Sequence, residues 1–327
     1  MLLLYVSCSA AVLLAGAGLY CLYKLALVRW HEFWCETDPL VPDGSNTLLS
    51  VISRSIDDRI DGIDPATAVP LFTDYFTNGA SGNFVANTNL WTRGLDLSCV
   101  SVWHDDEYPG SKTATLITRK HVILANHWYN FNNNGQYTFC DTNGLICVRE
   151  LVQSSWISDD LRIGRLDSPL PDSFRPASVM STNFVNYLST GRYLPTLCVN
   201  QEKCATVLEL ENLDIATIDR YGKHYVHYGM NSYTNVVSSQ RCAVRAVTYG
   251  GSSGSPVFAV VGDELILLFA KHLGSWTEET WSSFWGPMLS FHLEAIQQRI
   301  NQWEGADASL YQLVPFDMNS YDEVVNR

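Results

Sequence analysis

The chain has 327 residues, 46% of them hydrophobic and 17% charged, which is enough apolar material for a sizeable core and excludes a disordered chain. Its 34 acidic residues outweigh 21 basic ones, a formal charge of -13, which is the wrong sign for neutralising phosphates, so nucleic acid is not expected as a partner. The nine cysteines are odd in number and form no CxxC pair, so neither a zinc knuckle nor a disulfide framework stands out, and most read as small buried side chains or free thiols.

Residues 1–28, MLLLYVSCSAAVLLAGAGLYCLYKLALV, carry one charge, Lys24. They are long enough to cross the roughly 30 Å hydrocarbon core of a bilayer as a helix. A transmembrane anchor is expected; the rival, a cleaved signal peptide, needs a basic residue ahead of the apolar run, and none is there. Lys24 and Arg29 sit at the C-terminal end of the span, so the positive-inside bias predicts a single-pass membrane protein with the remaining chain in the cytosol. Residues 29–89, with Pro39, Pro42, Gly44, Pro65 and Pro70 around one short helical run near Thr47 to Ile60, read as a linker or a lead-in to the fold.

From Leu95 onward, short alternating runs of Val, Ile, Leu, Tyr and Thr recur between turn clusters, the pattern of an all-β barrel or sandwich. A first series covers Ser98 to Trp103, Thr113 to Thr118, His121 to Leu124, Leu145 to Leu151 and Leu161 to Leu166. A second covers Leu197 to Val199, Ala205 to Leu210, His224 to Tyr228, Ala243 to Val247, Pro256 to Val261 and Leu265 to Ala270. Two β modules are implied, 90–180 and 181–303. The second ends in a helix, because Leu289, Leu293, Ile296 and Ile300 recur at spacings of three and four. An acidic tail, 304–327, closes the chain.

Three segments carry chemistry. Amide hydrolysis at neutral pH needs a nucleophile, a base, a carboxylate to orient the base, and donors for the oxyanion. In GGSSGSPVF, Gly250 to Phe258, small residues let backbone N–H groups converge before a strand. Ser253 then attacks, with the N–H groups of Gly251 and Ser253 as the oxyanion hole. Two other readings stand beside this one: a flexible glycine and serine loop, and a GxSxG elbow with Ser252 as nucleophile, which must enter a helix. In LITRKHVILANHW, Leu116 to Trp128, His127 lies just past an apolar strand, where an ordinary loop-edge histidine also fits. In SDDLRIGRL, Ser158 to Leu166, Asp160 opens a covered run, with Asp159 as the alternative carboxylate and a turn or capping role as the bland one. The consecutive His104, Asp105, Asp106 and Glu107, followed by Pro109 and Gly110, suit an exposed hairpin tip better than a metal site, and neither a catalytic metal nor a cofactor is expected.

The strand ending in Ala-Asn-His, the Asp-Leu-Arg-Ile-Gly-Arg-Leu run and Gly-Ser-Ser-Gly-Ser-Pro, in that order, resemble the three landmark motifs of chymotrypsin-like serine peptidases over about Leu95 to Trp303. The resemblance implies two antiparallel six-stranded β-barrels with a C-terminal helix, His127 and Asp160 in the first barrel, Ser253 in the second, and a peptide substrate between them. It implies His127 as general base and Asp160 as its orienter. Two departures stand out: Trp128 follows the histidine and Tyr249 precedes the Gly250-Gly251 pair, where many secreted members carry cysteines.

The same resemblance places the primary specificity pocket at 247–249 and 270–274, where no Asp selects Lys or Arg. Thr248 and His272, near Gly274, look like the Thr and His pair that reads Gln or Glu in polyprotein proteases of positive-strand RNA viruses and in bacterial glutamyl endopeptidases. A hydroxyl and an imidazole can both donate to a side-chain oxygen, although a buried strand histidine is the plain alternative for His272. The expectation is a membrane-anchored serine endopeptidase acting on polypeptides, its own polyprotein among them. The alternatives are a bacterial or cellular membrane-tethered protease of the same fold, and an inactive peptide-binding relative.

Overall fold

The computed structural model describes residues 46–74, 85–101, 113–127, 135–158, 160–188, 194–200, 203–210, 216–220, 223–227, 230–231, 239–244, 253–270, 273–277 and 281–324. The apolar stretch 1–28 and the expected hairpin tip at 104–110 lie outside them. Among the described residues no helix is long and apolar enough to cross a membrane.

Short strands dominate, as the alternating runs predict. After the antiparallel pair β1 (Phe72–Asp74) and β2 (Val85–Ala86), six strands follow: β3 (Val100–Ser101), β4 (Ala114–Thr118), β5 (His121–Ala125), β6 (Gln136–Cys140), β7 (Ile146–Ser158) and β8 (Leu161–Leu166). They form one antiparallel sheet in the order β3-β4-β5-β8-β7-β6, and its edges β3 and β6 return into contact, giving a nearly closed six-stranded barrel. The long β7 makes the closure possible. It pairs with β6 through Ile146–Glu150 and with β8 through Leu151–Ser158, and register shifts between Leu151 and Gln153 and between Trp156 and Ser158 bend it. Inside the curl there is no room at Gly164, where a Cβ would stand 2.4 Å from Leu151 Cδ1.

The second half contains β9 (Ser178–Val179), β10 (Leu194–Val199), β11 (Ala205–Leu210), β12 (Ala216–Arg220), β13 (Lys223–His227), β14 (Met230–Asn231), β15 (Pro256–Val261), β16 (Glu264–Ala270), β17 (Leu273–Thr277) and β18 (Trp281–Trp285). They group as a five-stranded sheet β11-β10-β15-β16-β9, a three-stranded sheet β14-β18-β17 and the pair β12-β13. β9 joins β16 in parallel and every other pairing is antiparallel. Where a strand was expected from Ala243, residues Ser239–Ala243 instead form a short helix, and 245–247 lie outside the described residues.

The lead-in contributes α1 (Leu48–Ile60) and α2 (Pro65–Ala68), while Ser239–Ala243 is α3. Thr47 caps α1 by accepting from the Ser50 amide, and Leu48, Ile52, Ile56 and Ile60, four apart on one face, are all buried. That stripe packs on β10 and β15. The polar face is tied down as well: Arg241 grips Asp57 through two bonds of 2.7 Å, and Arg59 reaches Gly262 O and Asp263 in the β15–β16 turn.

The expected terminal helix is α4 (Leu293–Glu304), and the segment after it runs back along the body. Val179 and Pro315 form a parallel bridge, Phe316 and Met318 are buried, and Asp322 bridges Thr47 in parallel while Asn46 donates to Ser320 O at 2.8 Å. The last residue of α4, Glu304, enters a closed site on the first barrel. Its carboxylate accepts from Lys120 Nζ at 2.8 Å and Arg165 Nε at 2.5 Å, with His121 Nε2 3.4 Å away. The His121 ring accepts or donates through Nδ1 to the Thr118 hydroxyl, stacks on Trp303 and meets the edge of Tyr311.

Burial lowers His121 to about 4, the nearby Glu304 charge only partly opposing it. Burial also works to raise the Glu304 carboxyl, but hydrogen bonds from Lys120 and Arg165 bring it below its ordinary value. The unfolded chain protonates His121 near 6.5 and the folded chain only near 4, so acidification through that window favours unfolding; the contribution of Glu304 is lost lower still, as pH falls through its depressed pKa. Urea midpoints are therefore expected to fall between pH 6.5 and 4, and His121→Phe is expected to flatten that fall. At neutral pH, Glu304→Ala, which leaves two partly buried cations without their carboxylate, is expected to cost roughly 1–3 kcal/mol. A pH-independent midpoint in the wild type would contradict this account.

Candidate active site

The last register pair between β5 and β8 is Ala125 with Leu161, and one step beyond it the Asn126 amide donates to Asp160 O at 2.7 Å. Continuing the antiparallel pairing past the strand ends brings the side chain of Asp160 to the next residue, His127. The carboxylate grips that residue twice. Oδ1 accepts from the His127 backbone N–H, and Oδ2 pairs with the ring at Nδ1. A carboxylate only accepts, so Nδ1 carries the ring proton and Nε2 is the basic nitrogen. Exposure divides the two groups: the Asp160 side chain is 5% exposed and the imidazole 40%, so the carboxylate is sheltered while the ring is accessible.

Ser253 is half-buried in the turn that leads into β15. The next residue, Gly254, has φ +85°, and a Cβ there would lie 3.0 Å from Thr113 O and 3.8 Å from the Ala125 amide nitrogen. The serine turn thus rests on the end of β5, two residues before His127. β15 continues as a strand buried from Pro256 to Val260, and β16 beside it contacts β5. An α/β-hydrolase elbow enters a helix, so a strand here removes the reading with Ser252 as nucleophile. The Ser255 hydroxyl is fully buried without a hydrogen-bond partner among the described residues.

Other nucleophiles and bases compare poorly. Burial pushes the Cys99 thiol far up, and burial followed by the Asp141 charge raises Cys140 to about 11, so neither offers a thiolate. His121 is sealed in its cluster. Of the remaining expected site residues, Gly274 lies in β17 opposite Phe284, while Thr248, Gly251 and His272, like the alternatives Asp159 and Ser252, lie outside the described residues.

Sequence reading missed a polar brace beside the histidine. Arg162 in β8 donates from Nε to Asn126 Oδ1 at 2.9 Å and from Nη1 to Ser154 Oγ at 2.8 Å, so one side chain joins β7, β8 and the end of β5. Arg162 and Asn126 both stand inside quoted motifs, but nothing in their spacing shows that they meet. No protein-family model matches the chain, and no curated protein matches it.

Both Gly254 and Gly262 hold positive φ, but only Gly254 faces a backbone oxygen; nothing lies near a Cβ at Gly262. Gly262→Ala is expected to cost the left-handed penalty of about 1–2 kcal/mol. Gly254→Ala is expected to cost clearly more in urea denaturation. Equal costs would mean that the serine turn does not press on β4 and β5.

Proposed function

We propose that the chain is a serine endopeptidase of the chymotrypsin-like type, with Ser253 as nucleophile, His127 as general base and Asp160 as its orienter. The observation that carries the reading is the double grip of Asp160 on His127 at the mouth of the barrel, with the Ser253–Gly254 turn resting on the same strand end. Ser253 Oγ attacks the peptide carbonyl carbon while its proton passes to His127 Nε2. The tetrahedral oxyanion is held by the N–H groups of Gly251 and Ser253, and collapse expels the amine, which takes the proton from the imidazolium. Water then attacks the acyl-enzyme through the same base, giving the acid and restoring Ser253. Closure of the second half into its own barrel belongs to this reading, as do a polypeptide substrate and an N-terminal membrane anchor with the catalytic part in the cytosol.

A fluorophosphonate probe is expected to label the full chain covalently, and Ser253→Ala to abolish labelling. On a peptide substrate Asp160→Asn is expected to reduce kcat by roughly 10⁴-fold, since the imidazole loses the partner that fixes its tautomer. A wild-type chain that neither labels nor cleaves would leave a peptide-binding module instead of an enzyme.

Substrate choice rests on Thr248 and His272 as donors to the side chain before the scissile bond, with Gly274 leaving room for it. Polyprotein processing with Gln or Glu at that position is the proposed use. Peptides with Gln or Glu there are expected to exceed those with Lys or Phe by about tenfold or more in kcat/KM, because a site built of hydrogen-bond donors discriminates against side chains that leave them unmatched. Equal rates across the four would remove the specificity while leaving the triad intact.

A further inference from the structure

The brace around Asn126 carries an inference that rests on the peptidase reading and deepens it. Asp160 grips His127 through the histidine's own N–H and through Nδ1. The peptide just before it belongs to Asn126, whose amide hydrogen bonds to Asp160 O and whose side-chain oxygen takes the Arg162 Nε–H at 2.9 Å. Arg162 is anchored in turn. Its backbone lies in β8 paired with Leu124 on one side and Trp156 on the other, and its Nη1 holds Ser154 Oγ at 2.8 Å. The guanidinium therefore fastens the residue beside His127 to β7 and β8.

The choice of residue follows from geometry. The rigid planar fork of arginine donates in two directions at once, from Nε and from Nη1, whereas a lysine ammonium sits at a single point and cannot span Asn126 and Ser154 in the same fixed plane. Arg162 is only partly buried, so its charge is not stranded in the core, and it lies in β8 two residues after Asp160, which immediately precedes that strand.

We propose that Arg162 is a positioning residue for the catalytic histidine: by bracing Asn126 against β7 and β8 it holds the end of β5, and with it the His127 ring, in the orientation that the Asp160 carboxylate and Ser253 require. Arg162 does not touch substrate in this scheme. Its loss lowers the rate of the chemical step and leaves ground-state binding unchanged.

The test uses the full chain. Arg162→Ala and Asn126→Ala break the same bond from opposite ends, so each is expected to slow fluorophosphonate labelling of Ser253 by about ten- to a hundredfold, the scale of a small misplacement of a reacting group. On a peptide substrate kcat falls with KM unchanged. The double variant is expected to be no slower than the slower single one, because both remove one interaction. Arg162→Lys is expected to rescue only partly. A second readout follows the His127 Nδ1 proton by NMR, whose far-downfield resonance reports the bond to Asp160 and is expected to broaden or shift upfield in Arg162→Ala. Should Arg162→Ala fail to fold, Asn126→Ala alone decides. Labelling at the wild-type rate together with an unchanged Nδ1 resonance in either folded variant overturns the proposal. If the wild type never labels, the peptidase reading falls by itself, and the Nδ1 resonance still decides whether Arg162 orients His127.

Discussion

Everything at the mouth of the barrel depends on the register between β5 and β8. Because Ala125 faces Leu161, the next step outward must bring Asn126 to the Asp160 backbone and His127 to its carboxylate. A slip by one residue would turn every side chain of β5 to the other face, so the imidazole would leave the acid and the buried Val122 and Leu124 would exchange places with Ile123. The register is protected from both sides, since β5 is buried along its whole length and pairs with β4 as well as β8. The His127–Asp160 pair at the end of the strand is thus secured by apolar packing in its middle.

The other end of the same strand is secured differently. His121 opens β5 inside the cluster built by Lys120, Arg165, Glu304, Trp303 and Tyr311, so α4 is bolted to the barrel where β5 begins. The strand then runs from one histidine that burial keeps neutral to another that stays accessible. Their different environments, not their residue type, separate a sealed imidazole from an open one.

Much of this was legible in the chain. The alternating apolar runs predicted five of the six strands of the barrel, missing β6, and the i, i+3, i+4 spacing predicted α4. Asp160 and His127 were legible as a pair because each stood at the end of an apolar run, and the structure joins them by hydrogen bonds. Harder to foresee was the packing role of the segments flanking the β modules. α1 carries its apolar stripe at steps of four between prolines, and only the sheet of β10 and β15 shows what that stripe is for. Glu304 offers no local sign of burial either, since its two cations lie in the turn after β4 and in β8, far away in sequence. Long-range polar pairings such as Arg162 with Asn126 escape any rule based on spacing. The closed second barrel expected from the resemblance is represented among the described residues by a five-stranded sheet, a three-stranded sheet and a separate pair.

The parallel bridge between Thr47 and Asp322 has a mechanical side. Thr47 caps α1 and lies beside the segment that returns from α4, so the first and last described segments meet at a single seam. In a parallel pair, tension on the two flanks pulls in opposite directions along the strands and loads the bonds at Asn46, Thr47 and Asp322 in shear, together instead of one after another. A body held by a flank on either side would resist stretching at that seam, and once the seam parted, force would pass through α1 to β15, the strand into which Ser253 leads.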